Sequence, residues 1–241
     1  MRIITRIVKL ILNLIFPLRC PVCDEILPIG NSYLCSSCQK KLVIIRTPFC
    51  MKCGKQLNNF EKEYCFDCNF KEHHFTRGRA VFDYRCILDG IYRFKYSNRA
   101  EYADFFAREI IRVLGEELKN WQVDAIVPVP LHKNRLKKRG YNQAELIGEK
   151  LSKITHIPMR NNLIIREKNT IPQKTLDYAS RINNLKKAFK IVENDVKLST
   201  IVIVDDIYTT GSTIDAVSME FREHTNVKKI YFVTIAIGKG L

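Results

Sequence analysis

Acidic residues are scarce in this chain: 25 Asp+Glu stand against 40 Lys+Arg, a formal charge of +15. That deficit points to an anionic partner such as a nucleic acid, a phosphorylated metabolite or an acidic membrane surface. Glycine and proline are few as well, 10 and 8 in 241 residues, which excludes a collagen-like repeat. With 46% hydrophobic residues the composition also argues against global disorder. No apolar run is both long enough and free enough of charge for a comfortable membrane span. The most apolar stretch, residues 1–18, carries Arg2, Arg6 and Lys9 and is followed by no small-residue cleavage site. Its polar residues fall at helical spacing ahead of Pro17. The stretch is expected to be an amphipathic helix packed on protein, with contact to a membrane surface as the alternative.

Cysteine breaks the pattern of scarcity. Eight of the nine cysteines form four C-x-x-C pairs: Cys20/Cys23, Cys35/Cys38, Cys50/Cys53 and Cys65/Cys68. Two thiolates on one tight turn face one ion, and two such turns close a tetrahedral zinc site, whereas a disulfide framework has no reason for x-x spacing. The pairs recur every 15 residues, but their flanks give a longer repeat. Cys20-Pro-Val-Cys23-Asp-Glu-Ile-Leu27 matches Cys50-Met-Lys-Cys53-Gly-Lys-Gln-Leu57, and each is followed by a plainer pair. One zinc is assigned to Cys20, Cys23, Cys35 and Cys38, and a second to Cys50, Cys53, Cys65 and Cys68, with a crossed arrangement left open. Neither set has a spare ligand position, so both read as structural. A segment this poor in large apolar residues needs the metals to fold. Reduced, zinc-holding cysteines point to the cytosol. Cys86, standing alone, reads as a core thiol.

From about residue 75 the grammar changes to alternating β-branched runs and amphipathic stretches. Strands are expected near 79–84, 123–129, 163–165, 200–204 and 229–237, and helices near 86–94, 99–120, 143–154 and 212–223. That alternation gives an α/β domain with a parallel sheet covered on both faces, its site at the C-terminal strand ends. The expected division is a helix over 1–18, a double zinc ribbon over 19–75 and the α/β domain over 76–241, with the ribbons separable from the chemistry.

The strongest candidate site follows Thr200-Ile-Val-Ile-Val204. Asp205 and Asp206 can accept hydrogen bonds from two vicinal ribose hydroxyls. Thr209, Thr210, Gly211, Ser212 and Thr213 then open a helix whose free N–H groups and hydroxyls suit a phosphate. A plain N-capped helix behind an acidic pair would account for one Asp and one Thr, but not for the ordered set.

These residues resemble the phosphoribosyl-pyrophosphate (PRPP) signature of type I phosphoribosyltransferases. Val127-Pro-Val-Pro-Leu-His132, Arg135, Arg139-Gly140-Tyr141-Asn142-Gln143-Ala144, Gln173, Arg181, Asn184 and Phe189 are together similar to the ComF/ComFC family of competence proteins, which also carries a double zinc ribbon. Tyr141 stands where Phe is usual, and Asp24 where Gly is frequent. The resemblance implies a phosphoribosyltransferase-like fold, a pyrophosphate-contacting loop at 128–135 and a closing loop between Arg166 and Arg181. It also implies displacement of Mg-pyrophosphate from the anomeric carbon. Arg135, Arg139, Lys174 and Arg181 are the candidates to neutralise pyrophosphate, and no residue stands out as a general base. Residues 131–190 hold 15 Lys+Arg against 4 Asp+Glu, more than pyrophosphate needs. The resemblance implies single-stranded DNA and competence proteins as further partners. The two expectations are therefore a transferase acting on PRPP, and a non-catalytic factor that senses PRPP or a nucleotide while binding DNA.

Overall fold

The computed structural model describes residues 17–28, 33–167, 188–192 and 197–238. The helix expected over 1–18 falls almost wholly outside these residues, as do Gln173, Lys174, Arg181 and Asn184. Among the described residues no helix is long and apolar enough to cross a membrane.

Four strands make one parallel sheet: β1 (Arg77–Asp83), β2 (Ala125–Pro128), β5 (Thr200–Tyr208) and β6 (Lys229–Ile237), in the order β1-β6-β5-β2. A second, antiparallel pair joins β3 (Ile164–Arg166) to β4 (Phe189–Ile191). Side chains alternate across the sheet. Ile201 and Ile203 of β5 enter one core and Val202 and Val204 the other, all four with no exposed surface. Both faces are apolar, as parallel strands require.

One face is covered by α3 (Tyr84–Tyr96), α4 (Tyr102–Asn120) and α6 (Gln143–Thr155). In α4 the residues Tyr102, Phe105, Phe106, Ile110 and Leu114 form the buried stripe that the periodicity predicts, and Val113 flanks it half-buried. The other face is covered by α7 (Ser212–His224) together with the second cysteine cluster. Cys50, Cys53 and Cys65 share a core with Tyr208, Ile214, Val217 and Phe232.

The two ribbons repeat one plan. Each knuckle closes with the same backbone bonds: Cys20 N–H to Glu25 O (2.9 Å) and Asp24 N–H to Cys20 O (2.8 Å), then Cys50 N–H to Lys55 O and Gly54 N–H to Cys50 O (both 2.8 Å). Short helices α1 (Ser36–Gln39) and α2 (Phe66–Phe70) start directly after Cys35 and Cys65. The residue after each knuckle takes a left-handed backbone, Gly54 at φ +77° and Asp24 at φ +65°. Glycine does this freely, while Asp bears a steric cost. Asp24 is offset by its carboxylate, which takes Arg99 (2.8 Å) and the Tyr102 hydroxyl and so ties the first knuckle to α4. That explains the departure from Gly at this position.

The segment between the ribbons runs antiparallel along the outer edge of β1. Ile45 N–H donates to Val81 O and Asp83 N–H to Val43 O, both at 2.9 Å. The edge is thereby covered rather than left open to pairing with another chain. Cys86 is half-buried, its sulfur 3.0 Å from the Asp83 carbonyl. Burial raises its thiol pKa.

Candidate phosphate site and zinc clusters

The eight paired cysteines gather as two groups, Cys20, Cys23, Cys35 and Cys38, and Cys50, Cys53, Cys65 and Cys68, with the sulfurs of each group within 4.8 Å of one another. The sequential pairing is the one the structure adopts. Cys23 and Cys35 lie 3.8 Å apart, and Cys53 and Cys65 3.7 Å. Tetrahedral thiolates about 2.3 Å from zinc stand roughly 3.8 Å from each other, so both groups fit the ion. These are two structural zinc sites, each built from four cysteines.

Asp205 and Asp206 sit where β2 stops. Pro128 pairs with Val204, and β5 then continues beside β6 alone, Asp205 against Thr234 and Tyr208 against Ile237. Periodicity places the end of this strand at Val204; the observed strand runs four residues further because β6 extends with it. The acidic pair therefore projects from a rigid strand edge, not from a loop.

Asp206 is buried and paired with Lys95 of α3 (3.0 Å). Asp205 keeps part of its surface open, yet protein packs densely around it. Burial first, and the neighbouring Asp206 second, push its carboxyl up to about 7. Its Oδ1 accepts the Asp206 N–H at 2.8 Å.

Folded Asp205 therefore holds a proton that the unfolded chain releases near 3.8. Its contribution to stability is fully present below that value and is lost as pH rises through about 7. Asp205→Asn is expected to stabilise the ligand-free protein by on the order of a few kcal/mol at pH 8, with a smaller gain at pH 5. Urea unfolding at the two pH values reads this; a variant less stable than wild type at pH 8 would contradict it.

The loop 209–211 leads into α7, whose N-cap is Gly211 at φ +79° with no side-chain cap. The hydroxyls of Thr210 and Ser212 bond each other (2.8 Å). A side chain at Gly211 would meet the Tyr208 hydroxyl at 2.5 Å from its Cβ, so both the backbone angle and the space demand glycine. The first N–H groups of α7 have no acceptor within the helix, and the helix dipole adds positive potential there.

After β2 comes α5 (Lys133–Arg139), a helix where the resemblance leads one to expect part of a loop. His132 caps its start (Asn134 N–H to Nδ1, 3.2 Å) and Gly140 ends it. Arg135 and Arg139 lie close enough to Arg166 of β3 to act on its charge. Burial first, and Arg135 next, lower Arg166 to about 10, while Asp205 opposes them. Arg166 thus stands within electrostatic reach of Arg135 and Arg139 on one side and of Asp205 on the other.

Arg139 also holds the local structure, donating to Gln143 (2.9 Å) and to the Tyr96 hydroxyl (3.2 Å). The rest of the 139–144 motif is explained the same way. Tyr141 and Gln143 both donate to the Phe94 carbonyl (2.6 and 3.2 Å), and Asn142 donates to the Val129 carbonyl (3.0 Å) while capping α6. The motif ties α3 to the end of β2.

Sequence reasoning missed Lys95, Arg166 and a junction with the second ribbon. Asp215, in the first turn of α7, accepts from Lys71 Nζ (2.7 Å) and from the His74 N–H (3.1 Å), and pairs with His73 Nδ1 (2.8 Å). Burial alone would raise its carboxyl; the His73 and Lys71 contacts hold it below its ordinary value. These partners are more than 140 residues apart in the chain, and no local pattern announces them.

Residues 11–69 match the double zinc ribbon domain family. Competence protein F of Haemophilus influenzae is 36% identical over 138 residues, 55% of this chain and 60% of that protein. The DNA utilization protein YhgH of Escherichia coli (strain K12) is 36% identical over 131 residues, 52% of this chain and 56% of that protein. The competence protein ComFC of Bacillus subtilis is 29% identical over 139 residues, 57% and 55% of the two chains. The chain thus spans little more than half the length of the curated relatives it matches. Among solved structures, the adenine phosphoribosyltransferase of Thermoanaerobacter pseudethanolicus aligns with 70% of this chain and 92% of its own, at 18% identity and a TM-score of 0.33. A second adenine phosphoribosyltransferase aligns with 69% of this chain and 82% of its own, at 15% identity and a TM-score of 0.35.

Proposed function

We propose that this chain, a double-zinc-ribbon relative of competence protein F, binds Mg–PRPP beside the C-terminal half of β5 and transfers or senses its phosphoribosyl group. One observation supports the reading: an acidic pair on a strand edge, with Arg166 in electrostatic reach of Asp205, runs across four residues into a glycine-capped helix N-terminus. Asp205 and Asp206 accept from the ribose hydroxyls. The first N–H groups of α7 and the hydroxyls of Thr209, Thr210, Ser212 and Thr213 take the 5′-phosphate. Arg135, Arg139 and Arg166 offset the charge of pyrophosphate as it leaves, preorganised so that no solvent need reorient. Lys174 and Arg181, outside the described residues, are proposed to complete that set from the segment between β3 and β4.

Mg²⁺ bound with the pyrophosphate would supply further charge neutralisation, and the hard carboxylate oxygens of Asp205 and Asp206 suit it. In the ligand-free arrangement Lys95 neutralises Asp206, and an incoming ribose hydroxyl or cation must share that carboxylate.

A second reading, a PRPP-gated factor that holds single-stranded DNA or competence proteins without turnover, draws on α5. Arg135 and Arg139 of this helix belong to the site, while Lys133, Lys137 and Lys138 are exposed to solvent. A cationic stripe on that surface fits a phosphate backbone.

The test is pyrophosphate release from Mg–PRPP by zinc-loaded protein, with nucleobases and single-stranded DNA offered as acceptors. Release that depends on one acceptor supports transfer. Saturable PRPP binding with no release supports the sensing reading. The absence of both binding and release overturns the site.

A further inference from the structure

The second ribbon does more than adjoin the α/β domain. Lys71 and His73 follow the last ligand of the second zinc, Cys68, by three and five residues, and both reach Asp215. Lys71 Nζ also lies 3.3 Å from the Thr210 carbonyl oxygen. A trans peptide directs its C=O and N–H oppositely, so holding the Thr210 oxygen toward the ribbon turns the Gly211 N–H to the other side of the loop.

The floor of the loop is laid from the same direction. Tyr208, whose hydroxyl lies under Gly211, stacks on Phe232 (4.8 Å) and meets Phe75 edge-on (6.2 Å). Phe75 in turn stacks on His73 (4.6 Å), and Lys52 of the second knuckle stands over its ring (5.3 Å).

Charge acts in the same sense. A carboxylate in the first turn of α7 opposes any anion bound at that terminus, and the Lys71 ammonium cancels it at 2.7 Å.

We propose that Lys71 is a positioning residue for the phosphate loop, acting through Asp215 and the Thr210 carbonyl, so that the second ribbon sets how strongly the site holds a phosphate. The inference rests on the reading of loop 209–213 as the phosphate site of PRPP and adds to it a residue and a control.

The experiment compares wild type, Lys71→Ala, Lys71→Arg and Lys71→Ala with Asp215→Asn. It measures Mg–PRPP affinity by titration, zinc content per chain, and hydrogen exchange of the 209–213 amides without ligand. Lys71→Ala is expected to weaken Mg–PRPP about tenfold and to speed loop exchange, with zinc content unchanged. Lys71→Arg should recover most of the affinity. Removing the orphaned carboxylate with Asp215→Asn should recover part of it.

Unchanged loop exchange in Lys71→Ala overturns the proposal. So does a loss of affinity that neither the Arg variant nor the double variant reverses, because general damage would behave that way. If wild type itself binds no Mg–PRPP, the phosphate reading fails. Loop exchange in the ligand-free proteins then still decides whether Lys71 holds the loop.

Discussion

Cys53→Ser is expected to cost the protein far more than Cys23→Ser, although each removes one ligand from one zinc. Cys53 is 1% exposed and packs in the same core as Tyr208, Ile214, Val217 and Phe232. Losing the second zinc therefore leaves a void and uncompensated thiolates directly against the sheet. Cys23 is exposed, and its cluster has a small core of its own around Cys20, Leu27 and Cys38. The first ribbon meets the rest of the chain through polar ties from Arg93, Arg99 and Tyr102 and through the half-buried Val22 and Leu34, while none of its cysteines enters the main core.

A structural zinc contributes on the order of 10 kcal/mol to the fold it organises. Where that fold includes the main core, the thermal midpoint should drop by on the order of 10 °C or more. Both variants should carry one zinc per chain instead of two, with the large drop confined to Cys53→Ser. Equal midpoints would show that the second ribbon is as separable as the first. The expectation from sequence, that zinc could be removed from the ribbons without disturbing PRPP binding, is at odds with this packing at the second site.

The second large effect is on binding. Asp205→Asn combined with Asp206→Asn is expected to weaken Mg–PRPP by more than about 100-fold, since two charge-assisted hydrogen bonds to ribose hydroxyls are each worth on the order of 1.5–3 kcal/mol. Zinc content should stay at two per chain, because neither carboxylate belongs to a cysteine cluster. Folding at pH 8 should stay cooperative, because relief of the repulsion between Asp205 and Asp206 offsets the loss of the Lys95–Asp206 ion pair. Calorimetric titration and urea unfolding of the same preparation separate the two outcomes. Normal affinity in the double variant would mean that the acidic pair does not hold the ribose.

Much of this site was readable in the chain because it is local. The four C-x-x-C pairs, the run Asp205 to Thr213 and the alternation of strands with helices all lie within short windows, where spacing alone dictates geometry. The pairing of the cysteine clusters was not decided by a regular period; the matched flanks of Cys20–Leu27 and Cys50–Leu57 pointed to the sequential answer that the structure adopts.

What escaped the sequence was set by distant partners. β5 runs on to Tyr208 because β6 pairs with it that far. Helix α5 has Leu136 as its lone large apolar residue and is set by His132 and Gly140 at its ends, so hydrophobic periodicity had nothing to detect. Lys95 on Asp206 and Lys71 on Asp215 each join residues more than a hundred positions apart. The Asp24 departure became intelligible only once Arg99 and Tyr102 were seen around its carboxylate.

The central claim, that the end of β5 and the start of α7 form a PRPP site, is tested most directly by calorimetric titration of Mg–PRPP into wild-type protein carrying two zinc ions per chain. One saturable site per chain is the expected result. A cooperatively folded, fully zinc-loaded protein that gives no binding at millimolar Mg–PRPP would contradict it.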